Sequence, residues 1–181
     1  RHGYSMKDRL IAWLPRYAPM ASRLAPLFNL RDRIPGLAQL TESLLGLSAK
    51  RSLPQWRRDT FLSSAPPLAR GDGEVVFFVD CFNNYHEPDN ARAALRVLEA
   101  AGYSVHIARA EDGSRPLCCG RTFLASGMVK EAKKEAQRML GALGPFVARG
   151  VPVVGLEPSC LYTLRDEFQA MLPGPQTEAL A

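Results

Sequence analysis

The pattern of apolar and polar positions changes character at residue 74. From there, Glu74-Val75-Val76-Phe77-Phe78-Val79-Asp80 forms a short continuous apolar run, the signature of a strand buried on both faces of a parallel sheet. Cys81 to Tyr85 are expected as a loop at its C-terminal end. Pro88-Asp89-Asn90 then opens a helix with Ala94, Leu95, Leu98 and Ala101 on one face, closed by Gly102. Tyr103 to Ala108 alternate like a second strand, and Arg109 to Gly120 read as a long loop. Ser126 is expected to cap a long helix with Val129, Ala132, Ala136, Met139, Leu140 and Leu143 inward, broken at Gly144-Pro145. Val151 to Leu156 form a third strand, and Pro158-Ser159 starts a last helix with Leu161, Leu164, Phe168 and Met171 on one side. Strand alternating with helix predicts a small three-layer α/β domain of parallel strands joined by right-handed crossovers.

The front of the chain reads differently. Leu10, Ile11, Trp13 and Leu14 form an apolar cluster that Pro15, Pro19, Pro26 and Pro35 interrupt. Leu37, Leu40, Leu44 and Leu47 follow at helical spacing, which predicts core packing with Thr41 and Glu42 exposed. Residues 1–50 are therefore expected as a helical, proline-interrupted connector. Residues 51–73, rich in Pro, Arg and Ser and closed by Gly71-Asp72-Gly73, are expected as a linker. The α/β domain occupies 74–181.

Composition adds a few bounds. The chain has 181 residues, 46% hydrophobic and 23% charged, enough for one real core. No run approaches eighteen apolar residues, so no membrane span is expected. The first residues, Arg1-His2-Gly3-Tyr4, are neither an initiator Met nor a secretory leader, so a piece of a longer polypeptide is expected. The net charge of +5 is uneven: residues 1–58 carry eleven Lys and Arg against three Asp and Glu. A basic front can meet an acidic partner, an anionic membrane face or nucleic acid. Its charges are spaced among apolar residues, which favours an ordinary solvated helical surface.

The chemistry sits on four cysteines, Cys81, Cys118, Cys119 and Cys160. Without a secretory signal, cysteines point to metal or redox chemistry more than to disulfides. Small buried hydrophobes are the ordinary alternative. The vicinal pair suits that alternative poorly, because Pro116 and Gly120 frame it in a turn. All four cysteines follow a predicted strand, so three loops at one sheet edge can bring them together, where function gathers in such folds. Thirty-six residues separate Cys81 from Cys118 and forty separate Cys119 from Cys160, so only the fold can do this. Four thiolates suit a tetrahedral zinc site or an iron–sulfur cluster, and spacing alone does not choose. Cys160, near a helix start, gains from the helix dipole. A thiol–disulfide role for Cys118 and Cys119 is a third reading, weakened by the strain of a vicinal disulfide.

Pro116-Leu117-Cys118-Cys119-Gly120, with Cys81 upstream and Glu157-Pro158-Ser159-Cys160 downstream, resembles the CCG cysteine-rich domain. That domain occurs in the heterodisulfide reductase B subunit, the glycolate oxidase iron–sulfur subunit and lactate-oxidising relatives. The stretch from Gly155 to Phe168 is similar to long fusion proteins in which a flavin (FAD) domain precedes a ferredoxin-like segment and two CCG repeats. The resemblance covers residues 75–170, and more weakly the basic connector over 1–60. It implies that the four cysteines ligate a cluster, of 4Fe-4S type, with zinc as the alternative. The family motif ends in Cys-x-x-Cys, and here Thr163 holds the last place, which puts a noncubane cluster in doubt.

What the resemblance implies about the whole is a fragment of an FAD-linked 2-hydroxy-acid oxidoreductase of glycolate oxidase or D-lactate dehydrogenase type. Electrons would pass from flavin, elsewhere in the protein, to a quinone or other acceptor, and the fragment alone is expected to be inactive; the alternative is a structural zinc-binding or metal-free interaction module. Expected partners are the flavin domain, the ferredoxin-like segment and a second CCG repeat. A cytoplasmic location with peripheral contact at the inner face of the membrane is expected, and no nucleic acid.

Other candidates are weaker. His86 could donate to a thiolate or replace a missing ligand; the alternative is a surface loop histidine. Asn83, Tyr85 and Glu157 could stand beside the cluster and tune it by hydrogen bonding, or serve only loop and helix-start chemistry. His106 reads as packing or surface. Lys130, Lys133 and Lys134, with Glu131 and Glu135 between them, read as a solvated helix face. No Gly-x-Gly-x-x-Gly follows a strand, and no Ser/His/Asp set is recognisable.

Overall fold

A computed structural model describes residues 3–64 and 71–181. Its centre is a three-stranded parallel sheet of order β2-β1-β3, formed by β1 (Gly73–Phe78), β2 (Tyr103–Ile107) and β3 (Val153–Gly155). In register, Val75 faces Val105 and Phe77 faces Ile107 on one side of β1, while Val76 faces Val153 and Phe78 faces Gly155 on the other.

Side chains of a strand alternate between faces, so β1 feeds two cores. Val76 and Phe78 pack with Phe123, Ala132, Met139 and Phe168. Val75, Phe77 and Val79 pack with Phe61, Ala91, Leu95 and Val105. The unbroken apolar run is thus explained by cover on both faces, and the three-layer α/β architecture is as expected.

The helices supply the outer layers. Ahead of the sheet lie α1 (Met6–Ala12), α2 (Leu14–Arg23), α3 (Ala25–Phe28), a 3-10 turn (Asn29–Asp32), α4 (Leu37–Leu45) and α5 (Phe61–Ser64). Within and after it come α6 (Cys81–Tyr85), α7 (Pro88–Ala100), α8 (Arg121–Ala125), α9 (Val129–Val147), α10 (Pro158–Tyr162), a π-helical turn (Thr163–Glu167), α11 (Phe168–Met171) and α12 (Pro175–Leu180).

Several expectations need correction. Cys81–Tyr85 is a short helix, not a loop, because Asp80 caps it: Oδ1 accepts from the Phe82 and Asn83 N–H groups at 2.9 and 3.0 Å. Ser126 ends α8 instead of capping α9, which starts after Met128. Pro145 does not break α9; it forfeits the bond to the Gly141 carbonyl, but it lies in the last turn, so little helix follows it to be disrupted. Val129 at the start of α9 is exposed, not inward.

The Leu40 and Leu44 side chains, expected in a core, are 52% and 67% exposed. This end of the connector is instead held by the buried Arg31 guanidinium. It donates to Thr41 Oγ1 at 2.9 Å and to the Leu47 and Ser48 carbonyls at 3.2 and 2.8 Å, and pairs with Asp32 at 2.5 Å. Thr41, expected exposed, is half-buried for that reason.

In the stretch expected as a linker, Phe61 is fully buried and Trp56 packs on His86 with the rings tilted by 50° and centroids 4.3 Å apart. Residues 65–70 of that stretch lie outside the described residues.

The candidate metal centre

Three strand ends deliver the cysteines. Cys81 opens α6 directly after β1, Cys118 and Cys119 end the loop after β2, and Cys160 lies in α10 after β3. Cys119 donates to Cys160 Sγ at 3.1 Å, and Cys118 lies close enough to Cys81 and to Cys119 for each to bear on its thiol. The sulfurs therefore form a continuous row, Cys81–Cys118–Cys119–Cys160. All four are free thiols, and all four line one cavity of about 380 Å³.

Two glycines make this possible. Gly120 has φ of 79°, and a Cβ there would stand 3.1 Å from the Ala132 carbonyl oxygen and 3.2 Å from Glu135 Cβ. Only glycine combines that backbone conformation with that close approach. Its N–H donates to Cys118 Sγ at 3.3 Å. Gly155 lets α10 sit tight on the sheet: a Cβ would meet Leu161 Cδ2 at 3.1 Å.

As protonated thiols, Cys81, Cys118 and Cys119 are costly to ionise. Cys81 is pushed well above the usual thiol value by its hydrogen bond with Cys118 and by burial. Cys118 is raised first by its contact with Cys119, then by burial, against the opposing effect of Cys81. For Cys119 the hydrogen bond with Cys118 lowers the value, but the contact with Cys160 and burial together raise it. A cationic group among these sulfurs would reverse that balance.

The flanking candidates are placed as follows. His86 borders the cavity but is buried between Trp56 and Phe82, with Nδ1 3.0 Å from the Gln55 carbonyl oxygen. The surface-loop alternative is therefore wrong. Burial lowers its pKa against the pull of that carbonyl. Glu157 also lines the cavity, with its carboxylate accepting from Ser159 N and Oγ at 3.2 and 2.6 Å to start α10. Asn83 turns to Asp80, donating from Nδ2 at 2.7 Å. Tyr85 lines a different cavity, but its hydroxyl, raised in pKa first by burial, is raised further by the nearby Cys81 and Cys118. Thr163 is fully buried, donating to the Ser159 carbonyl at 2.8 Å where the helix widens into its π turn. His106 packs its ring on Phe146 at 5.1 Å.

Three features were not anticipated. Ile11, Leu14 and Pro15, from the front of the chain, roof the thiol cavity. This roof is tied down by Thr122 Oγ1 donating to the Ala12 carbonyl at 3.0 Å and by an edge-to-face Trp13–Phe123 contact at 5.6 Å. Asp80 positions Cys81; an acid directly after an apolar run was the available signal. Finally, Glu135 is not on a solvated face. It is 1% exposed and paired with Arg115, with Arg138 at 3.1 Å and with Arg16 at 3.5 Å. Nothing in its local sequence signals that.

A parallel α/β sheet with four free thiols gathered at its C-terminal edge defines a cysteine-rich α/β domain. The chain belongs to the CCG cysteine-rich domain family, whose profile matches residues 75–165. It is 27% identical over 173 residues to one of the subunits of the anaerobic glycerol-3-phosphate dehydrogenase of Escherichia coli K12, covering 93% of this chain and 42% of that protein. It is 23% identical over 180 residues to the D-2-hydroxyglutarate dehydrogenase of Haemophilus influenzae, covering 92% of this chain and 17% of the relative. These relatives are oxidoreductases or their subunits, and the chain spans less than half of each. No solved structure matches the chain. No helix among the described residues is long and apolar enough to cross a membrane.

Proposed function

We propose that this chain is the iron–sulfur electron-transfer module of a larger flavin-linked oxidoreductase. The observation that carries the reading is the row of four free thiols, from three separate strand ends, bordering one cavity. Cys81, Cys118, Cys119 and Cys160 would hold the iron of a 4Fe-4S-type cluster. Such a group, when bound, supplies reversible one-electron storage. A single zinc ion in a closed four-thiolate shell needs no cavity beside it, and room of about 380 Å³ favours the larger group.

The chain's own residues ligate, shield and tune. The Gly120 N–H donates to a sulfur, and hydrogen bonds to ligand sulfur shift the potential. Ile11, Leu14 and Pro15 keep water from one side. In this reading residues 74–181 are the CCG domain, 1–50 its connector and 51–73 the link between them. The flavin domain, a ferredoxin-like segment and a second CCG repeat would be its partners.

The substrate of the whole enzyme would be a small 2-hydroxy acid or a related alcohol, a class that spans the substrates in the relatives' names as well as glycolate and lactate. The acceptor would be a quinone or another carrier. A groove of about 580 Å³, lined by side chains such as Leu10, Met20 and Phe28, shares Ile11, Leu14, Phe82 and His86 with the thiol cavity and so offers a lipophilic approach to it. Contact with the inner face of the membrane follows from such an acceptor.

Anaerobic reconstitution with iron and sulfide tests the reading. The expected product is brown, with iron and acid-labile sulfide in equal amounts. Cys119→Ser is expected to lose both, and His86→Ala to keep both. A colourless protein holding one zinc, or equal iron in Cys119→Ser and parent, would overturn it.

A further inference from the structure

On the other side of α6 lies a second cavity of about 350 Å³, enclosed by the end of α2, residues 58–63, α6 and the loop that follows β2. It shares no lining residue with the thiol cavity: α6 presents Cys81 to one and Asn84 and Tyr85 to the other. Three arginines line it, Arg23, Arg58 and Arg109, and no Asp or Glu does. Among the described residues none of the three is paired with a carboxylate. Arg58 Nε donates to the Arg23 carbonyl at 3.2 Å and Arg109 donates to the Leu62 carbonyl at 3.1 Å, which leaves most of their N–H groups uncommitted.

The cavity's buried wall carries donors too. Tyr85 is 3% exposed and Asn84 1% exposed, yet the Tyr85 hydroxyl and Asn84 Nδ2 have no hydrogen-bond partner among the described residues. The two groups lie close enough for the amide to bear on the phenol, but without a well-formed hydrogen bond. The Asn84 Oδ1 is already used, accepting from the Leu62 N–H at 2.9 Å. A buried polar group left unpaired is costly, and such groups in a folded protein call for a partner. Nearby hydroxyls do not compete for the role of ligand partner: Ser22 bonds the Arg57 carbonyl, Ser63 the Thr60 carbonyl, and Ser114 accepts from Arg138.

A cavity lined by cationic and neutral donors, with no anion to match them, is shaped for an acceptor. We propose that this cavity binds a small metabolite through a carboxylate or phosphate group, held by Arg23, Arg58 and Arg109 at the rim and by Tyr85 and Asn84 at the wall. Guanidinium forks match both oxyanions. The size is within the range of small-ligand sites, roughly 300–1,000 Å³. The site shares no lining residue with the thiol cavity, although the Tyr85 hydroxyl lies within electrostatic range of Cys81 and Cys118.

The test is calorimetric titration of the full-length protein with inorganic phosphate and, separately, with malonate, at constant ionic strength set by sodium chloride. Glycerol serves as the neutral control. Saturable binding of either anion supports the proposal, and the stronger binder identifies whether phosphate or carboxylate is the natural group. Arg109→Gln should weaken binding about tenfold, and Tyr85→Phe severalfold, as expected for one lost charge-assisted and one lost neutral hydrogen bond. Arg96→Gln removes the same charge from an exposed site outside the cavity and should change nothing. Arg109 is exposed and Tyr85→Phe keeps the ring, so both variants should fold. Iron content measured on each sample separates this outcome from that of the metal centre. No saturable binding of either anion, or equal binding in the parent and both cavity variants, would overturn the proposal.

Discussion

The guanidinium of Arg115, three residues ahead of Cys118, is paired with the carboxylate of Glu135 in the middle of α9. Glu135 is fully buried, and Arg138 closes the unit by donating to the Arg115 carbonyl at 2.6 Å. The loop that carries the vicinal cysteines is thus fastened to the long helix by charge. Removing one partner of a buried ion pair leaves the others uncompensated and costs about 3–5 kcal/mol. Glu135→Gln is expected at the lower end of that range, because the arginines keep some water. Urea denaturation would read the stability. Reconstituted iron content should fall as well, since Arg115 would no longer hold the cysteine loop.

Asp80 joins the end of β1 to the start of α6, so its loss acts on Cys81. Asp80→Ala removes the cap, worth about 1–2 kcal/mol, and strands the Asn83 amide that Asp80 Oδ2 accepts at 2.7 Å. Asp80→Asn keeps a capping oxygen but sets one amide nitrogen against another, so it should fall between parent and Asp80→Ala. Thermal unfolding of the three proteins checks the order. The same order in iron content would tie the cap to Cys81 placement; equal iron in all three would leave the cap a purely structural device.

His86 gives the stability a pH dependence of known sign. Burial holds its pKa below the ordinary 6.5, so over the window between the folded and unfolded values the unfolded chain carries a proton that the native protein lacks. Stability from this group is therefore complete above the ordinary value and is lost as pH falls through the window. The denaturation midpoint should decline from about pH 7 toward 5. The slope should be shallower in His86→Gln, even though that variant is less stable throughout for want of its ring contact with Trp56. Titration of the imidazole by NMR should give a midpoint below that of free histidine.

Much of the fold could be read from periodicity because β1 buries both faces and α7 buries one. The run from Val75 to Val79 gave the strand and the spacing of Ala94, Leu95 and Leu98 gave the helix, although the helix also buries Ala91, which that spacing left out, and leaves Ala101 exposed. The gathering of the thiols was legible for a related reason: all four follow strands of one sheet, and Gly120 marks the turn. Tertiary neighbours escaped the reading. Glu135 lies in a stretch of alternating Lys and Glu, and only the arrival of Arg16 and Arg115 from elsewhere makes it a buried group. The burial of His86 depends on Trp56, from a stretch whose Pro, Arg and Ser content suggested a linker. The donors of the second cavity, Asn84 and Tyr85, lie in a five-residue helix too short to leave a periodic trace.

The connector gives the sharpest contrast between pattern and structure, and so a last prediction. Its leucines have helical spacing, yet Leu44 is 67% exposed, while Arg31, which composition would send to the surface, is buried among carbonyls. If packing followed the leucine pattern, Leu44→Gln would be the damaging change. The structure gives the opposite order. Leu44→Gln should alter stability by no more than about 0.5 kcal/mol, as for other exposed positions. Arg31→Gln should cost about 2–4 kcal/mol, because it leaves the Leu47 and Ser48 carbonyls, Thr41 and Asp32 without their common donor. The two variants, compared by urea denaturation in the same buffer, decide whether the leucines or the Arg31 guanidinium fasten this end of the connector.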